Sequence, residues 1–201
     1  MLRTKNYSLT DAFAHLRDHG DDSYRPDNHF LMNHVCAHAG ASPARQASQS
    51  TASFVAHLTQ DRETYWATAT SSPCTSIFKP VWFGDDPLPT SFAGEHLEKF
   101  DDDIFWWHHE ELHRQILLDF EHRNTLVRRE FEVLENRWLQ EAEKVGAGKR
   151  AALTAEAFSL ERETTDALIA MLETESVEQK PRFPYRRFWK KQNEMVNLRL
   201  K

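Results

Sequence analysis

Hydrophobic positions change their period part-way along this chain, and the change divides it. Residues 9–19 carry Phe13 and Leu16 on one helical face. Ser8 or Thr10 can cap that helix, Asp11 suits its first turn, and Gly20 stops it. A polar loop follows over residues 21–28. Short runs rich in β-formers then predict strands over residues 29–39, 49–58, 64–71 and 76–83. They are separated by Gly40 and Pro43, by Gln60, Asp61 and Arg62, and by Ser72 and Pro73. Pro80 interrupts the last run and assigns part of it to an edge or a loop. Strands joined by short polar turns predict an antiparallel meander.

Beyond Gly84 the period lengthens. Over residues 101–145 apolar residues from Ile104 to Ala142 recur at spacings of three to five, without proline or glycine. This predicts one long helix, broken at Gly146 and Gly148 and followed by a second helix over residues 150–172. Two helices with a short glycine-containing link form a helical hairpin. The tail, residues 181–201, mixes cations with aromatics and is read as a docking segment that covers the open sheet or the acidic helix. The fold class is α+β, divided into an incomplete sheet layer over 1–84, the helical hairpin over 85–180 and the tail.

Composition narrows the function. The 201 residues carry a formal net charge of -6, which argues against general nucleic-acid binding because that needs a basic footprint. Cys36 and Cys74 are the two cysteines, too few for a disulfide framework or a cysteine-rich zinc site. Without a run of 18 apolar residues or an apolar amino-terminal stretch, membrane association is not expected and a cytoplasmic location is favoured.

A few short strands cannot bury both faces of a sheet with one short helix and a hairpin. Such a sheet leaves edges that pair with other chains. An upstream segment, a partner chain or an oligomer is therefore expected to finish it.

The segments LRDH (residues 16–19), VCAHAG (35–40), SQSTASFVAHL (48–58), WATATSSPCTSIFKPVWF (66–83) and FWWHHEELHR (105–114) occur in this order. Together they resemble the carboxy-terminal half of the secernin and bacterial cysteine dipeptidase family, over roughly residues 9–140. The resemblance implies a partial αββα sandwich of the N-terminal-nucleophile hydrolases. It also implies a substrate that is a dipeptide or related small amide, attacked by an amino-terminal cysteine whose own α-amino group is the base. Neither Cys36 nor Cys74 matches that nucleophile, so no catalytic residue is assigned in this chain. Activity then depends on a missing amino-terminal half, supplied in cis or in trans. A non-enzymatic interaction module derived from the same fold is the alternative, and a small zinc peptidase built on an HExxH pattern is the weaker one. No cofactor is expected.

Individual residues refine this picture. Arg45, Gln49, Ser50 and Thr51 lie in and beside the SQST block and are the candidate substrate-binding residues. Arg45 suits a peptide carboxylate, and the polar groups suit orientation of substrate or a developing oxyanion. His109, Glu110 and His113 match the HExxH zinc pattern, with Glu130, Glu132 or Glu135 as third-ligand nominees. Charged Glu111, His108 and Arg114 around the motif favour instead an ordinary helix with part-exposed histidines. His34, Cys36 and His38 would share one strand face, where a Cys/His nucleophile pair or a metal site is the alternative to a structural cysteine. A structural thiol is the favoured assignment for both cysteines.

Overall fold

The computed structural model describes residues 7–20, 24–29, 31–43, 46–60, 62–84 and 98–200. Ser8 caps α1 (Leu9–Leu16) through a reciprocal capping box with Asp11. Beyond it Gly20 takes a left-handed φ of 73°, which a residue without Cβ adopts at no steric cost. Three short strands, β1 (Phe54–Leu58), β2 (Glu63–Ala67) and β3 (Lys79–Val81), form an antiparallel sheet in sequence order. Trp66 faces Val55 across β1 and Pro80 across β3. Pro80 is accommodated because β3 is an edge strand.

The predicted strand over residues 29–39 does not form. Residues 31–39 are irregular backbone, and Met32 holds a left-handed φ of 49°. This stretch bonds to scattered groups instead of a neighbouring strand. Cys36 N donates to Asp18 O (3.2 Å), and Ala37 N donates to Ser50 Oγ (3.1 Å). Side-chain and loop partners replaced the ladder that its β-forming residues suggested.

The predicted helix over 101–145 is two helices, α2 (Phe105–Ile116) and α3 (Phe120–Lys144). The break carries no glycine or proline because its partners are remote. Asp119 Oδ2 accepts from Glu178 N and Gln179 N at 2.8 and 3.0 Å. The Arg123 guanidinium caps the carbonyls of Gln115, Leu172 and Glu175, satisfying orphan acceptors at the ends of helices. After a short 3-10 turn, α4 (Arg150–Thr174) returns along α3 as the expected hairpin. The tail forms α5 (Phe183–Val196), ended by Asn197 in a left-handed conformation.

The main core draws on both sides of Gly84. Phe13, Trp66, Ile77 and Phe78 pack with Leu112, Phe131, Trp138, Ala157 and Leu172. Each buried leucine, isoleucine or phenylalanine among them contributes about 1.5–3 kcal/mol. On the other sheet face, Val81 packs on Phe105 and Phe158. The helices thus cover β2 and β3 but not all of β1. Phe54 and Leu58 are 51 % and 65 % exposed, and Phe83 is 72 % exposed. Among the described residues no strand pairs with the free edge of β1, and no helix is long and apolar enough to cross a membrane. α5 docks instead on α2 and the irregular stretch, where Tyr185 and Trp189 meet Ala39 and Leu117.

Candidate functional site

Two buried polar constellations lie side by side where the irregular stretch, the turn after β2 and α2 meet. The first gathers His19, Cys36, His38 and Cys74. Their ligand-type atoms all lie within 4.8 Å of one another. His38 Nε2 is 3.2 Å from His19 Nε2, 3.1 Å from Cys74 Sγ and 3.8 Å from Cys36 Sγ. Both thiols are free and buried.

Local structure fixes each member. Gly20 N donates to Asp18 Oδ1 (2.7 Å), and the turn this makes presents His19. Tyr24 stacks flat on the His19 ring, with centroids 4.1 Å apart. The Cys36-Ala37-His38 backbone is clamped from two sides. Ser50 N donates to Ala37 O (2.9 Å) while Ser50 Oγ donates to Val35 O (3.2 Å), and Ser72 Oγ donates to Ala37 O (3.4 Å). Cys74 sits in the turn closed by Thr75 N donating to Ser72 O (2.9 Å). His38 is stacked on His113 and edged by Phe120. His34, expected beside Cys36 and His38, turns away to His29 Nδ1 (3.3 Å).

The electrostatics of the thiol pair are asymmetric. Burial pushes the Cys36 thiol up, but hydrogen bonding to Cys74, His19 and His38 outweighs it and holds Cys36 well below the ordinary thiol range. Burial and the neighbouring Cys36 push Cys74 well above it. A cleft of about 700 Å³ opens beside the cluster, lined in part by Asp18, His19, Tyr24 and Phe120.

The second constellation is centred on Glu110 of α2, fully buried. Its carboxylate accepts from Ser71 Oγ (2.6 Å), Arg114 Nε (2.8 Å) and Gln49 Nε2 (3.3 Å). Arg114 is itself held between the Trp107 and Trp189 rings, 5.5 and 5.0 Å from their centroids. Of the candidate substrate-binding residues, Gln49 reaches this carboxylate and Ser50 serves the backbone clamp. Thr51 is exposed and offers its carbonyl to Trp106 Nε1 (3.1 Å). Arg45 lies outside the described residues.

The histidines of the HExxH pattern are buried, not part-exposed as the charged neighbours suggested. They diverge to separate partners. His109 Nε2 meets Ser76 Oγ at 3.0 Å, and His113 Nδ1 meets Thr75 Oγ1 at 3.1 Å. Burial holds the His113 imidazole well below its ordinary range. Glu135, a nominee for third ligand, is instead engaged by both Arg17 guanidinium nitrogens (2.8 and 2.6 Å) and by Phe78 N (2.9 Å). The charges of α2 are tolerated inside because each has a partner: Glu110 has Arg114, and His108 Nε2 lies 2.8 Å from Asp166 Oδ1.

Sequence reasoning assigned Cys36 and Cys74 separately to structural roles and gave His19 none. The available signal was Cys36-Ala37-His38, a lone cysteine at 74 and a histidine at 19, in three separate segments. No family model matches the chain, and neither a curated protein nor a solved structure is similar to it.

Proposed function

We propose that this chain is the carboxy-terminal portion of a dipeptidase-like cysteine hydrolase of the N-terminal-nucleophile type, inactive until a segment bearing the nucleophile completes its sheet. The observation that carries the proposal is the uncovered end of the sheet. Among the described residues β1 pairs on one side only, and the exposed rings of Phe54 and Phe83 flank Tyr65 on an open apolar face. An edge of this kind is a template for another strand. The convergence of four family-like blocks is a second support. Ser50 clamps the VCAHAG block, Ser72 reaches the same backbone, and Glu110 ties Gln49 to Ser71. Both cysteines are buried, and in this proposal the attacking thiol is supplied from elsewhere, in cis or in trans. The substrate is a dipeptide or small amide, with Gln49, which donates to the Glu110 carboxylate, as its candidate polar contact among the described residues.

The test is co-expression of the chain with the sequence encoded immediately upstream of it, followed by native mass and hydrolysis of a panel of unmodified dipeptides. The expected result is a one-to-one assembly whose activity is lost on alkylation, and no activity from the chain alone. Thiol-dependent hydrolysis by the thoroughly purified chain would overturn the need for completion. A soluble chain that ignores the upstream product would instead favour an interaction module built on the same open face.

A further inference from the structure

The geometry points to a tetrahedral zinc site formed by His19 Nε2, Cys36 Sγ, His38 Nε2 and Cys74 Sγ, a structural centre that pins three otherwise irregular segments together. It stands independently of the hydrolase proposal. Zinc takes thiolate sulfur at about 2.3 Å and imidazole nitrogen at about 2.0–2.1 Å. A tetrahedron with those radii has edges of ~3.3 Å between nitrogens, ~3.6 Å between nitrogen and sulfur and ~3.8 Å between sulfurs. The His19–His38 separation is 3.2 Å, and the two His38–cysteine separations, 3.1 and 3.8 Å, bracket the mixed edge. No pair exceeds 4.8 Å, so no edge involving sulfur needs to draw in by more than about 1.2 Å against those tetrahedral lengths.

The hydrogen-bonding arithmetic also favours a cation. Three groups crowd one nitrogen, His38 Nε2, yet a neutral imidazole nitrogen carries either one proton or one lone pair. At most one of the three contacts is then a good hydrogen bond. A central zinc turns all three approaches into edges of one coordination shell. Its two positive charges are balanced by two thiolates, whose protons are released to solvent on binding, so the buried centre is neutral overall. Two sulfurs and two nitrogens in tetrahedral array select zinc among the common divalent metals.

The surroundings fit a closed structural site. The four ligands leave no open position. The His38 ring is oriented by stacking on His113 and by Phe120. His19, seated on Tyr24, is the partly exposed ligand and faces the cleft, which gives the metal its path in. The ligands come from the loop after α1, from the irregular stretch and from the turn after β2. Among the described residues, regular structure does not otherwise tie these three pieces together.

The full chain should be purified under reducing conditions from zinc-supplemented culture, and its zinc measured by mass spectrometry before and after replacement by cobalt. The expected result is one zinc per chain and a cobalt spectrum with intense tetrahedral bands and thiolate-to-cobalt charge transfer. Cys74→Ser should lower zinc affinity by at least the 10–100-fold typical of losing a group that merely orients a ligand. His19→Ala, at the partly exposed ligand, tests the same point should the buried variant fail to fold. His109→Ala should retain full zinc. Zinc well short of one per chain, cobalt bands without thiolate charge transfer, or loss of metal on His109→Ala with retention on His19→Ala would overturn the assignment. So would a Cys36–Cys74 disulfide in the reduced preparation.

Discussion

Lys79→Met probes the most deeply buried charge pair among the described residues. The Lys79 ammonium has no exposure and is paired with the equally buried Glu161 carboxylate. It also donates to Thr68 O (2.6 Å) and Ile77 O (3.2 Å), and it lies 4.9 and 5.3 Å from the Phe158 and Phe105 ring centroids. Burial pushes the ammonium below its ordinary range while Glu161 draws it back up. Methionine restores most of the volume and none of the charge. Glu161 is then left buried with His109 Nδ1 at 3.4 Å as its remaining neighbour. Breaking one side of a buried pair costs about 3–5 kcal/mol, a large share of the ~5–15 kcal/mol that holds a domain together. For a chain of this size the melting temperature should fall by about 6–20 °C, from ~2–4 °C per kcal/mol. Adding Glu161→Leu removes the stranded carboxylate and should recover more than half of the loss, although Thr68 O and Ile77 O stay without their donor. Urea melts of the wild type, both single variants and the double variant give the coupling directly. A Lys79→Met loss below ~1 kcal/mol would refute the reasoning, as would a double variant whose loss equals the sum of the singles.

Three other outcomes are expected. Glu135→Ala removes the acceptor that Arg17 and Phe78 N share and should cost about 3–5 kcal/mol in urea melts. Ser8→Ala breaks the capping box of α1 and should cost about 1 kcal/mol, read as lost protection of α1 amides in hydrogen exchange. Leu58→Lys, at an exposed position of β1, should change stability by no more than ~0.5 kcal/mol yet block assembly with the upstream segment in native mass spectra.

The sequence by itself determined much of the secondary structure. Ser8, Asp11 and Gly20 bound α1, and the apolar spacing around Gly146 and Gly148 yields the α3–α4 hairpin. The runs around Val55, Trp66 and Pro80 yield three antiparallel strands, and the surplus of strand over cover predicted an open end, where Phe54 and Leu58 are exposed. These signals are local, because capping, breaking and periodic burial act within a few residues. Tertiary structure decided where the backbone obeys more distant partners. Residues 31–39 abandon a ladder for bonds to Asp18 and Ser50, and the helix predicted over 101–145 breaks where Asp119 and Arg123 bond to the far end of α4. Helix α2 carries its charges inward because Glu110 and His108 find partners on other segments. The His19, Cys36, His38 and Cys74 constellation is of the same kind. Its members stand in three separate stretches whose spacing matches no compact ligand pattern, and only the packing of those stretches against α2 and α3 sets the distances that a metal would require.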